Sequence, residues 1–132
     1  MKFVICILAV LTSSYAAKFD FKGSLKCDSK ERWCYTLEGS EVDLISNDYI
    51  VDHKDCIGPR SYAEDVDFDL SGHVKDDGYL DNYFEIALLV IHNCTGTKQY
   101  IEEDYEEVPI TQNVHHTMNK KFDLNTNKVI PQ

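Results

Sequence analysis

The stretch KFDFKGSLKC, residues 18–27, decides the fold class that the sequence predicts. Its apolar side chains stand on alternate positions with polar residues between them; they are Phe19, Phe21, Leu25 and Cys27. Successive side chains of an extended strand point to opposite faces of a sheet, so this period of two predicts a half-buried β-strand. Cys27 is therefore expected to face the core.

The rest of the chain continues in short strands. On the same grounds we predict strands at residues 33–37, 41–45, 66–70, 84–92, 97–110, 121–124 and 129–130. The second and third strands are expected on either side of a turn at Gly39-Ser40. The stretch 97–110, which Pro109 closes, is expected as one long strand near a sheet edge. About seven strands without a helical period predict a single all-β domain, an antiparallel β-sandwich.

Residues 84–92 are the most apolar stretch of the predicted domain, and they are apolar on both faces. One face carries Phe84, Ile86, Leu88 and Val90, and the other carries Ala87, Leu89 and Ile91. A strand with this pattern is covered on both sides. We expect the second cover from residues 76–82 or from a second copy of the chain, so both a monomer and a homodimer stay open.

Composition excludes several classes of protein. The chain has 132 residues, enough for one compact domain, and 43% of them are hydrophobic, which excludes a disordered chain. The 13 Lys and Arg residues are outnumbered by 23 Asp and Glu, which gives a formal net charge of −10. Nucleic-acid binding requires clustered cations that neutralise phosphates, so we do not expect a nucleic-acid partner.

The first 16 residues have the organisation of a secretory signal peptide. Lys2 supplies a positive charge, residues 3–11 are all apolar, and small residues follow up to Ala16. An apolar run of this length is too short to span a bilayer, which needs about 20 residues. We therefore expect residues 1–16 to be removed, residues 17–132 to form the domain, and the product to be secreted without a transmembrane segment.

Cysteine usage agrees with an extracellular location. Of five cysteines, Cys6 lies in the predicted signal peptide, which leaves four in the domain; they are Cys27, Cys34, Cys56 and Cys94. An even number in a secreted chain predicts two disulfides. Four cysteines allow three pairings, and their spacing does not choose among them.

Two features are candidate surface sites. Asn93-Cys94-Thr95 is a sequon for N-glycosylation at Asn93. An acidic segment packs five carboxylates around one tyrosine; it consists of Glu102, Glu103, Asp104, Tyr105, Glu106 and Glu107. This segment is either an edge strand protected by charge or a contact site for a basic partner, with Tyr105 as a candidate for sulfation.

No pattern predicts a metal, a cofactor or a catalytic residue. Asp65, Asp67 and Asp69 alternate with apolar residues and lack the glycine and glutamate of a calcium loop, so they are interpreted as a solvated strand face. His115 and His116 are adjacent, and on an extended chain their rings point to opposite sides. We therefore expect a protein that is not an enzyme.

Five short motifs occur in an order that resembles the transthyretin-like family of secreted nematode proteins. They are FKGSLKC at residues 21–27, VDL at 42–44, FDLSG at 68–72, LLVIHNC at 88–94 and KFDL at 121–124. The resemblance implies an immunoglobulin-like sandwich of the transthyretin type, without cofactor or catalytic residues, in a family whose members bind ligands or cell-surface partners.

The disulfide pairing follows from this resemblance together with strand alternation. The family motifs match Cys27 and Cys94, and counting by twos places Cys94 on the larger apolar face of its strand. We therefore expect Cys27–Cys94 in the core and Cys34–Cys56 between peripheral loops. The competing pairing is Cys27–Cys34 with Cys56–Cys94.

These observations predict a secreted, non-catalytic binding protein. Its sandwich would present a surface to a small hydrophobic or lipid ligand or to a cell-surface partner. The alternative is a protein-protein adaptor or effector that acts through the acidic segment. A hydrolase of the transthyretin fold is a remote alternative, because the chain lacks the Tyr-Arg-Gly-Ser tail of those enzymes.

Overall fold

The protein is described by a computed structural model that covers residues 15–42, 47–76, 82–102, 106–111 and 113–131. These residues form nine strands: β1 (Tyr15–Lys26), β2 (Trp33–Val42), β3 (Asn47–Ile57), β4 (Val66–Asp76), β5 (Tyr83–His92), β6 (Gln99–Glu102), β7 (Glu106–Pro109), β8 (Val114–Asp123) and β9 (Lys128–Ile130). The predicted all-β class is confirmed. None of the described segments is a helix that could cross a membrane.

The strands form two sheets. The first has the order β4-β1-β8-β9, in which β1 pairs with β4 antiparallel and with β8 parallel. The second has the order β3-β2-β5-β6, and the short strand β7 also pairs with β5. Strand β5 is therefore central in the second sheet, with β2 on one side and β6 and β7 on the other.

The hydrophobic core lies between the two sheets. The rings of Phe19 on β1 and Phe84 on β5 meet edge to face, with 5.4 Å between their centroids. Gly39 on β2 lies against the ring of Phe21, where an added Cβ would come within 2.6 Å of the ring. Both phenylalanines of β1 face inward and are buried, as the alternation of residues 18–27 predicts.

Two disulfides link the strands in the pairing expected above. Cys27 follows β1, Cys94 follows β5, and their bond joins the two sheets in the buried core. Cys34 and Cys56 are bonded to each other from directly opposite positions of β2 and β3, with their Cα atoms 4.0 Å apart. The expected location of this second bond in peripheral loops is therefore wrong, since it staples an edge strand to its neighbour.

Several predicted boundaries differ from the structure. Strand β2 runs straight through Gly39-Ser40, where a turn was expected, because the backbone there absorbs only a register shift against β3. The stretch 97–110 contains two strands, β6 and β7, instead of one long strand. Its placement near a sheet edge is confirmed.

Two expectations lie largely outside the described residues. The predicted signal peptide has only its last two residues, at the start of β1, within the structure. The expected cover of β5 by residues 76–82 falls mostly on residues 77–81, which the structure does not describe.

Candidate functional site

The outward face of the second sheet carries an apolar strip in its centre. Ala87, Leu89 and Ile91 of β5 point away from the core and remain partly exposed; we call them the outer strip. Tyr49 of β3 and Tyr100 of β6 lie on the same face, with 73% and 56% of their surface exposed. Because the solvated face of an antiparallel sheet is usually polar, this strip is the most unusual surface among the described residues.

Strand register surrounds the middle of the outer strip with carboxylates. Glu38 of β2 and Glu102 of β6 lie directly opposite Leu89 from its two sides. Asp52 of β3 lies opposite Glu38, which places two like charges on facing positions. Such pairs destabilise a sheet, so the charges of this row are not there to hold the sheet together.

The end of the strip beyond Ile91 has the opposite charge. A concave site of about 230 Å³ opens there, lined by Cys34, Tyr35, Thr36, Lys54, Ile91, His92, Asn93 and Lys98. No carboxylate lines it among the residues that the structure describes, and it contains two lysines. The Lys98 ammonium lies 5.4 Å from the centre of the Tyr100 ring. A second concavity of about 130 Å³ lies at the Tyr49 end of the strip.

Asn93 belongs to the rim of the lysine site. Its Oδ1 accepts a hydrogen bond of 2.7 Å from the N–H of Cys34, and its own N–H donates to the Cys34 carbonyl at 3.2 Å. The residue is exposed, as a glycan acceptor must be. Glycosylation at Asn93 stays a prediction, and a glycan there would stand on the same face as the outer strip.

His92 lines the lysine site but is held by structural contacts. It is 2% exposed, its Nδ1 accepts the N–H of Cys94 at 3.2 Å, and its Nε2 donates to Asn127 Oδ1 at 2.7 Å. Asn127 in turn donates to Gln99. Burial lowers the pKa of His92 and outweighs the opposing effect of the Asn127 hydrogen bond. The ring is therefore a neutral clamp between β5 and the turn before β9.

The acidic segment does not act as one patch within the described residues. Glu102 and Glu107 are exposed on the outward face of the second sheet, whereas Glu106 points toward β8. There Glu106 accepts a hydrogen bond of 2.7 Å from His116 and pairs with Lys120 at 3.2 Å. Burial raises the pKa of Glu106, but the bonds from these two cations outweigh it and lower the pKa overall. The remaining members, residues 103–105, lie outside the described residues.

A second polar cluster lies on the outward face of the first sheet. Asp20 is only 7% exposed and accepts hydrogen bonds of 2.5 Å from Ser71 Oγ and from His115 Nε2, with Lys18 at 3.7 Å. The Ser71 bond, then the His115 bond, lowers the pKa of Asp20 to about 2. The carboxylate stands between the serine and the histidine, so the histidine cannot act as a base on the serine.

The two adjacent histidines bond on different sides of β8. His115 reaches Asp20 on the outward face of its sheet, and His116 reaches Glu106 across the edge of the sandwich. This divergence is the one that an extended chain predicts. Within the described segments, no three His, Cys, Asp or Glu side chains are grouped so that they could hold a metal ion.

Comparisons with known proteins show which family the chain is in. Residues 22–129 match the family described as "Caenorhabditis elegans protein of unknown function (DUF870)". The chain is also 30% identical over 127 residues to a protein titled "Uncharacterized protein B0416.7" of Caenorhabditis elegans, over 94% of this chain and 93% of that protein. No solved structure matches the chain.

The family match covers most of the sequence, and the chain therefore belongs to the DUF870 family. The expected membership of the transthyretin-like family is wrong, because both the matched family and the relative are other proteins.

Proposed function

We propose that this member of the DUF870 family is a secreted, non-catalytic binding protein whose outer strip receives a small hydrophobic or lipid ligand. One observation carries the proposal: β5, the central strand of its sheet, is apolar on both faces, yet only one face is packed in the core. Apolar side chains left in the middle of a sheet gain free energy when a ligand removes them from water.

Secretion is part of the same proposal. It is supported by the signal-like residues 1–16 and by two disulfides, which persist in oxidising compartments. We infer cleavage after Ala16. The mature chain would then begin at Ala17, a core residue that pairs with Val74 of β4 and Val114 of β8.

The finer fold assignment is also a proposal. We infer that the two sheets form an immunoglobulin-like sandwich. Support comes from their mainly antiparallel pairing, from the shared core between them, and from the disulfide that joins them.

Binding to the outer strip is tested with a neutral apolar dye, Nile red, whose fluorescence rises when it leaves water. We expect Leu89→Ser to weaken dye binding about tenfold, because one large apolar contact is lost. Thr117→Ser, at an exposed position on the outward face of the first sheet, is the matched control and is expected to bind as the wild type does. Equal binding by Leu89→Ser and the wild type would refute the proposal.

The adaptor function is the second candidate, and the carboxylates beside Leu89 favour it. If these charges attract a basic protein, the protein should bind polylysine, and Glu102→Gln with Glu107→Gln should weaken that binding. Glu106→Gln is the control, because Glu106 is already bonded within the protein. Polylysine binding that is insensitive to the first two substitutions would remove this candidate.

A further inference from the structure

We propose that the lysine site at the end of the outer strip binds the carboxylate of a free single-chain amphiphile whose apolar chain lies along the strip. This inference rests on the proposed function and adds the charge and the orientation of the ligand. Two structural features carry it: the charge arrangement of the face and the continuity of the apolar surface between two concavities.

The charge of the lysine site differs from that of the rest of the molecule. In a chain with a formal charge of −10, the site has two lysines and no lining carboxylate among the described residues. Neither Lys54 nor Lys98 forms an ion pair with any residue that the structure describes, whereas Lys18, Lys22 and Lys120 do. Two unpaired cations beside an apolar surface attract an anion.

The other polar groups of the site are suited to an acceptor-rich ligand. Thr36 supplies a hydroxyl, and the Asn93 side chain is oriented by the bond that its Oδ1 accepts from Cys34. That bond leaves the Nδ2 group of Asn93 as a donor at the rim. His92 contributes no charge, since both of its ring nitrogens are engaged within the protein. The ligand's negative charge is therefore matched by Lys54 and Lys98 alone.

The acidic row fixes the orientation of the ligand. Glu38, Asp52 and Glu102 surround Leu89, one row along from the lysines. An anionic head group at Leu89 would be repelled by these three carboxylates, whereas an uncharged chain crosses them with little electrostatic cost. The head group consequently lies at the lysine end and the apolar chain runs toward Ala87.

The length of the strip fits a medium-length chain. From Ile91 to Ala87 the strand extends about 13 Å, comparable with the extended chain of dodecanoate. The second concavity, which includes Tyr49, Val42 and Ala87 in its lining, lies where the far end of such a chain would reach. The two concavities share the outward side chains of β2 and β5, so the apolar path between them is continuous.

The test compares dodecanoate with dodecanol, which has the same chain and no charge. Binding is measured by isothermal titration calorimetry on protein from the bacterial periplasm, where disulfides form and no N-glycan is added. Both ligands are kept below their aggregation concentrations, so that free monomers are the species offered. Lys54→Gln/Lys98→Gln is the test variant. Lys22→Gln/Lys121→Gln, on the outward face of the first sheet, changes net charge equally and is the control.

We expect Lys54→Gln/Lys98→Gln to bind dodecanoate about tenfold more weakly, since each exposed ion pair contributes up to about fivefold. The control variant should bind dodecanoate as the wild type does, and all three proteins should bind dodecanol equally. The wild-type preference for dodecanoate should shrink as salt is raised.

Three results would overturn the inference, and they separate it from the proposed function. If both ligands bind but the lysine variant does not weaken dodecanoate, only the carboxylate site is refuted. If the control variant loses as much as the test variant, the effect is one of net charge and the site is again refuted. If neither ligand binds, the outer strip is not a lipid site and the proposed function fails with it.

Discussion

The two disulfides should differ in their contribution to stability, and the structure gives the size of the difference. Cys27–Cys94 closes a separation of 67 residues and Cys34–Cys56 one of 22. The loop-entropy relation gives about 4 kcal/mol for the first bond and about 3 kcal/mol for the second. On chain entropy alone the two bonds would be nearly equivalent.

Burial separates them further. Cys27 and Cys94 are 1% and 5% exposed, whereas Cys34 and Cys56 are both partly exposed. Serine at the buried pair would place two hydroxyl groups in the core, each at a cost of about 1–3 kcal/mol if it lacks a partner. Cys27→Ser/Cys94→Ser should therefore lose about 6 kcal/mol or more, which is comparable to the whole stability of a small domain.

The assay is urea unfolding, followed by the fluorescence of Trp33, a buried residue 5.6 Å from Tyr35. Secreted yield is measured in parallel. Cys34→Ser/Cys56→Ser should be secreted and folded, with an unfolding free energy about 3 kcal/mol below that of the wild type. The buried double variant should be secreted poorly or unfold without denaturant. Equal loss in the two double variants would refute the argument from burial.

The remaining predictions concern the two carboxylates that the fold holds most firmly. Glu106→Gln should lower the unfolding free energy by about 1 kcal/mol, because its two cationic partners bridge the sheets, while Glu107→Gln on the exposed face should change nothing measurable in the same urea titration. Asp20 has a pKa lowered to about 2, so its stabilisation is present above the usual aspartate pKa of about 3.9 and is lost as pH falls toward about 2. Acid unfolding of Asp20→Asn should accordingly show a shallower loss over that range than the wild type, whereas Asp69→Asn should follow the wild type; identical acid curves for Asp20→Asn and the wild type would count against this assignment.

Alternation within one strand was a sufficient guide to the core. It predicted β1, β5 and the inward positions of Cys27 and Cys94, and the structure confirms the disulfide between them. A period of two reports directly which face of a strand is buried, and the burial of these strands follows from their own side chains. Such elements need no knowledge of their neighbours.

Elements that depend on their neighbours were predicted poorly. Gly39-Ser40 has turn-forming residues, but Gly39 is needed inside β2 because the Phe21 ring occupies the space of its missing side chain. Strand β3 was not predicted at all, since it is an edge strand with few buried positions and no alternating pattern. In both cases packing against another strand decides the structure, and single-strand patterns do not report it.

The mistaken family resemblance has a related cause. Its motifs, such as FKGSLKC at residues 21–27 and LLVIHNC at residues 88–94, consist mainly of core-facing strand residues and a disulfide. Sandwiches in general require inward apolar positions of this kind. Short matches of this type therefore reflect the packing of two sheets as much as common descent.

The lysine site is the part of the molecule that the sequence conceals most, and the outer disulfide accounts for its formation. Thr36 lies opposite Lys54 on β3 and opposite Ile91 on β5, so the site exists only in this register. A slip of one residue between β2 and β3 would turn Lys54 to the inner face. The Cys34–Cys56 bond joins directly opposite positions two residues away and prevents that slip. The bond that matters less for folding is thus the one that holds the proposed ligand site in place, so loss of Cys34–Cys56 should weaken dodecanoate binding in a protein that is still folded.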